Sequence, residues 1–99
     1  MKTLSDFKRA MQLGSEWLRK HVNEIDFFSR TVIKVCKDHV YLKDSISGKE
    51  ARLDFPKASE FKINENGEAE IYWPESYTYE GIEKVIIPKK LVLTYRKAE

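Results

Sequence analysis

Few side chains in this 99-residue chain have the type and spacing to do chemistry. Cys36 and His39 stand three positions apart, and a thiol beside an imidazole can hold a soft metal or act as a nucleophilic dyad. His21 is the only other histidine, so at most three soft ligands exist, from segments with no paired ligand spacing. A dyad also needs an orienting third group and an oxyanion site, and the sequence displays neither. Glu65, Glu68 and Glu70 form a second cluster. Carboxylates do acid–base work when burial or close pairing separates their pKa values, but these three fall at a hairpin tip and are expected to be solvated. The four glycines are isolated from one another, which leaves no phosphate-cradling loop. The chain is therefore read as a non-enzyme with no metal or cofactor.

Two other groups of residues suit binding. Arg30, Lys34 and Lys43 surround Tyr41 on the expected outer face of a hairpin, and Arg52 joins them from the next strand. Basic residues interleaved with an aromatic on an open sheet hold single-stranded nucleic acid through phosphate contact and base stacking. The same lysines also keep a sheet soluble and block edge pairing. Tyr72, Trp73, Tyr77 and Tyr79 make the aromatic peak of the chain. Trp73 falls on the core register, whereas Tyr72 projects outward and Tyr77 and Tyr79 lie in a polar stretch with Glu75, Glu80 and Glu83. Tyrosines on loops are frequent anchors at protein interfaces, giving large contact area at little rotamer cost. The alternative is that they fold over an open end of the sheet.

These residues must be positioned by a sheet. Apolar residues alternate with polar ones at Ile33, Val35, Val40 and Leu42, then Ala51, Leu53 and Phe55, then Phe61, Ile63, Ala69, Ile71 and Trp73, and finally Leu91, Leu93 and Tyr95. A period of two places them on one face of an antiparallel sheet, dry on one side and wet on the other. A turn at Asp38 and His39 pairs Val35 with Leu42 and sends Arg30, Val32, Lys34, Cys36, Tyr41 and Lys43 outward. At the next hairpin, a two-residue turn at Asn66 and Gly67 would set Ile63 against Glu70. A three-residue loop over Glu65, Asn66 and Gly67 instead pairs Ile63 with Ala69 and Phe61 with Ile71, and gives Gly67 the left-handed bulge position. The longer loop is the expected one.

Residues 3–13 read as a short helix. Thr3 and Asp6 form its start signal, Leu4, Phe7 and Met11 its apolar stripe with Ala10 on the flank, and Gly14 its stop. Such a helix is too short to stand alone and must cover the sheet. Residues 15–23 fit either strand or helix, with strand favoured. Ile25, Phe27 and Phe28 are expected to fold back on the core from a loop. Residues 75–90 read as irregular, with residues 75–83 expected to be more mobile than the strands and to expose at least one of Tyr77 and Tyr79.

Composition narrows the class. At 41% hydrophobic and 34% charged, the chain is one folded domain of residues 1–99. Its longest aliphatic run, Val85, Ile86 and Ile87, is far below the ~18 residues of a membrane-spanning helix, so no membrane partner is expected. Charges break up the first nine residues where a signal peptide needs an apolar stretch. A lone cysteine excludes an internal disulfide and favours a cytoplasmic protein. The net charge of +2 does not by itself point to nucleic acid.

Three stretches carry a resemblance: Ser5, Asp6, Phe7, Lys8, Arg9 and Ala10 followed by Gly14 and Trp17; Phe55, Pro56, Lys57, Ala58, Ser59, Glu60 and Phe61; and the terminal Leu93, Thr94 and Tyr95. Together they resemble a group of small proteins encoded by bacteriophages, prophages and other mobile elements, mostly in Firmicutes. The chain departs from that group at residues 72–90, which are longer here, and at residues 32–40, where Lys34, Cys36 and Asp38 replace a Gln-Thr-Asn-like patch. The resemblance implies an accessory protein of a mobile element and transfers no functional residue.

The fold expected is α+β, with an N-terminal helix on a curved antiparallel sheet of about five or six strands, or a half-open barrel. The function expected is binding of a host protein, an anti-defence inhibitor being one form of it. Tyr72, Tyr77 and Tyr79 are the candidate contacts. The alternative is a single-stranded nucleic-acid binder using Arg30, Lys34, Tyr41, Lys43 and Arg52. The sequence does not specify an oligomeric state.

Overall fold

A computed structural model describes residues 1–98. Helix α1 (Leu4–Ala10) begins where the sequence places it. Thr3 Oγ1 accepts the Asp6 N–H at 3.2 Å, and Asp6 Oδ2 accepts the N–H groups of Thr3 and Lys2 at 3.1 and 2.9 Å. These bonds satisfy donors that a helix start leaves free. The helix ends earlier than its stripe suggests. Met11 leaves helical backbone as its C-cap, and Gly14 (φ +84°) donates its N–H to Val32, tying the turn to the sheet.

Backbone bonds from Lys2 and a contact from Arg9 hold the Asp6 carboxyl down to about 2, from an ordinary 3.8. A depressed folded-state value means that this capping contribution is fully present above pH 3.8 and is lost as pH falls through about 2. A carboxyl ¹³C titration should show Asp6 titrating near pH 2; a midpoint near 4 would show that the cap does not form in solution.

Nine strands follow among the described residues. They are β1 (Glu16–His21), β2 (Phe28–Val35), β3 (His39–Asp44), β4 (Glu50–Asp54), β5 (Phe61–Ile63), β6 (Ala69–Trp73), β7 (Ser76–Glu80), β8 (Glu83–Ile87) and β9 (Lys90–Lys97), with a short 3-10 turn at Ala58–Glu60. Seven make one curled antiparallel sheet, a half-barrel ordered β4-β3-β2-β1-β9-β6-β5. β7 and β8 pair only with each other. The helix on an antiparallel sheet is as expected. The main sheet has seven strands rather than the five or six expected, and residues 75–90 form a separate hairpin rather than irregular chain.

α1 plugs the concave side. The Phe7 ring lies 5.5 Å from Trp17, 5.3 Å from Phe61, 5.9 Å from Tyr95 and 6.3 Å from Phe55. Met11, Val32, Val40, Leu42, Leu53, Ala69 and Ile71 complete the buried cluster. Trp17 has no exposed surface, and its Nε1 donates to Ser15 Oγ at 3.0 Å, so the indole is buried with its polar atom satisfied. Among the described residues, no helix is long and apolar enough to cross a membrane.

The second hairpin has the register derived above. Ile63 faces Ala69, Phe61 faces Ile71, and Gly67 takes φ +75°. The first hairpin does not. Its turn lies one residue earlier, so Val35 pairs with Val40, and Ile33 is inserted as a bulge between Val32 and Lys34. An extra residue reverses the alternation on one side of it. Val32 is therefore buried in place of Ile33, and Val35 is 49% exposed. Ile25 and Phe28 also correct the sequence reading, since both lie exposed rather than folded onto the core.

Candidate functional site

Beyond Pro74 the chain leaves the main sheet as a two-stranded arm. Its turn is the pair Gly81 and Ile82 between Glu80 and Glu83, and Gly81 takes φ +64°, as a two-residue hairpin turn with glycine first requires. Register places Tyr77 opposite Ile86 and Tyr79 opposite Lys84, so these four share one side. The tyrosine rings meet edge to face at 5.8 Å, and Lys84 Nζ lies 4.5 Å from the Tyr77 ring centre. Tyr77 is 59% exposed and Tyr79 62%. Ile82, Ile86 and Ile87 are exposed as well. The arm thus holds a preformed pair of aromatic rings in water, with Ile86 on the same side, Ile82 in the turn and Ile87 on the other side.

Tyr72 is not part of that pair. It stays on β6, half-buried, where its hydroxyl donates to Glu70 Oε1 at 2.8 Å and Lys89 covers its ring at 4.9 Å. That bond to a carboxylate, with some desolvation, raises its phenol above the ordinary value. Trp73 corrects the core reading. It is the last residue of β6 and is 61% exposed under Lys90, and the register shift beside it puts the extra residue on β9, where Val92 is buried.

The basic face assembles only in part. Lys34, Tyr41 and Arg52 form one row across β2, β3 and β4, with Lys34 Nζ 5.7 Å from the Tyr41 ring and His39 edge-on to it at 5.4 Å. Lys43 stands on the same side but opposite Glu50, and Arg52 is held by Asp54 at 2.7 Å. Arg30 is absent from this face. The bulge at Ile33 places it opposite Trp17, on the concave side, with Asp44 3.6 Å away. A five-residue basic patch is therefore a four-residue one with two acids inside it.

His39 Nδ1 and Asp38 Oδ1 approach to 2.6 Å, and this contact lowers the Asp38 carboxyl. Cys36 is half-buried. Among the described residues, no group of three or more His, Cys, Asp or Glu side chains is placed to hold a metal. Of the three clustered glutamates, Glu68 departs from the solvated reading. It is 9% exposed, accepting from Asn64 Nδ2 at 2.9 Å and facing Arg96 at 3.8 Å. Arg96 in turn stacks on Phe27 at 4.3 Å.

Sequence reasoning missed Ile82, Lys84 and Ile86 as members of the arm. The signal was available in the alternation of Tyr77 and Tyr79 ahead of Gly81, which reads as strand and turn once no core partner is demanded. No protein-family model matches the chain, and neither a curated protein nor a solved structure matches it.

Proposed function

We propose that this protein is a non-enzymatic interaction module that binds another protein through the β7–β8 arm. The observation that carries this reading is the exposure of Tyr77 and Tyr79 on a ribbon that no strand of the main sheet pairs with. A lone two-stranded hairpin is only marginally stable in water, and aromatic residues concentrate binding energy where they are covered. A partner that seats on the Tyr77 side gains both. The mobile-element resemblance supports reading the protein as an accessory factor inside a bacterial cell, with a host protein as its partner. Inhibition of a defence complex is one role that fits.

A second reading rests on the row of Lys34, Tyr41 and Arg52, which suits stacking of a base beside phosphate contacts. Glu50 and Asp54 in the same patch weaken its field. Capture from bacterial lysate on the immobilised protein separates the two. A partner retained after nuclease treatment and lost on Tyr77→Ser/Tyr79→Ser supports the arm. Recovery that nuclease abolishes supports the basic row instead.

A further inference from the structure

The concave face of the half-barrel continues past the end that α1 covers. Trp17 pairs with Arg30, Arg19 pairs with both Phe28 and Tyr95, and Arg30 pairs with Asp44. Cross-strand partners share a side, so Arg19 and Arg30 are diagonal neighbours on the same concave surface as the buried Trp17 and Tyr95. Burial pushes the Tyr95 phenol up, while the two guanidiniums beside it pull the other way.

The charges there do not balance. Arg30 has one acid within reach, Asp44 Oδ2 at 3.6 Å, and the Arg30 side chain is only 12% exposed. Asp44 is also committed elsewhere, because its Oδ1 accepts the N–H groups of Ile46 and Ser47 at 2.9 and 2.8 Å. Arg19 makes no ion pair among the described residues. The Nε atoms of both arginines are shut off from solvent and have no hydrogen-bond partner. Buried polar donors are ordinarily satisfied, and a guanidinium is a rigid fork built to meet an oxyanion at two points. Two forks with spare donors, one carboxylate beside Arg30 alone and a phenol hydroxyl at their base form a surface that is short of negative charge and of acceptors.

We propose that Arg19 and Arg30, with Tyr95 between them and the core, form an oxyanion site that takes a phosphate group. Phosphate fits better than carboxylate because its tetrahedral oxygens can meet two guanidiniums at once, and a carboxylate already stands beside Arg30 in Asp44. The site faces the opposite side of the sheet from Lys34, Tyr41 and Arg52, and it does not depend on the arm. Modest rearrangement of the guanidiniums is part of binding, since their Nε atoms are closed to solvent before the anion arrives.

The test is a titration of ¹⁵N-labelled full-length protein with inorganic phosphate, matched by sodium chloride at equal ionic strength and by acetate. The side-chain Nε–Hε signals of Arg19 and Arg30 are expected to move together along one saturable curve, while those of Arg9, Arg52 and Arg96 move only as they do with chloride. Arg30→Lys keeps the charge but loses the fork, and should weaken binding about tenfold. Asp44→Asn removes the competing charge while keeping an acceptor for Ile46 and Ser47, and should tighten binding about fivefold. Shifts no larger than those with chloride overturn the proposal. A response to acetate equal to or stronger than that to phosphate overturns the phosphate assignment, and weaker binding in Asp44→Asn shows that the carboxylate organises the arginines for a purely structural end.

Discussion

Phe7→Ala should cost the fold about 3–5 kcal/mol, the range for removing a fully buried aromatic ring. Phe7 has no exposed surface, and it is the one side chain whose ring meets Trp17, Phe55, Phe61 and Tyr95 together. Those partners come from β1, β5, β9 and the segment after β4, so the ring joins both ends of the open sheet. A half-barrel lacks the strand pairing that would close it, and α1 supplies the missing contact. A domain of this size holds only about 5–15 kcal/mol in total, so the variant should be largely unfolded at temperatures where the parent is stable. Urea denaturation should show a lower midpoint at unchanged slope. A loss within ~0.5 kcal/mol, as for surface sites, would mean that the helix does not plug the barrel.

The second large effect concerns binding rather than folding. Tyr77→Ser/Tyr79→Ser should weaken capture of the partner about a thousandfold, since each interface anchor of this kind contributes on the order of 2 kcal/mol. Neither ring touches the Phe7 cluster, so thermal stability of the half-barrel should change by no more than ~0.5 kcal/mol. Separating the two readouts matters. If the double variant unfolds easily, the tyrosines are part of the fold's own covering and the arm loses its claim as a contact surface. If stability holds but capture is unchanged, the partner sits elsewhere.

What could be read from the residues was whatever local chemistry decides. The Thr3–Asp6 capping box marked the helix start, and the Ile63–Ala69 register followed from the cost of setting Glu70 beside the core. What escaped was whatever depends on a single inserted residue. Ile33 as a bulge exchanges Val32 for Ile33 inside and carries Arg30 from the basic face to the concave one. The shift after Ile71 puts a second extra residue, Val92, on β9 and buries it. Strict period-two counting has no means of placing either, because an extra residue in one strand is set by the twist its partner strands require. The arm escaped for a different reason. Its strands bury almost nothing, so the hydrophobic pattern that identifies a strand had no core face to point at. Tyr77 and Tyr79 were still identified, because their exposure needed only a polar setting. Glu68 was misread for want of its partners, Asn64 and Arg96, the second of which is distant in sequence.

If the arm is the contact surface, amide hydrogen exchange of the protein alone and with its captured partner will show it. Free, the amides of β7 and β8 should exchange quickly, as expected for a ribbon that nothing covers, while β1, β2 and β9 are protected. In the complex, protection should rise across Ser76–Glu80 and Glu83–Ile87 and stay unchanged on the outer face of β2, β3 and β4. Protection that rises around Lys34, Tyr41 and Arg52 while the arm continues to exchange freely would contradict it.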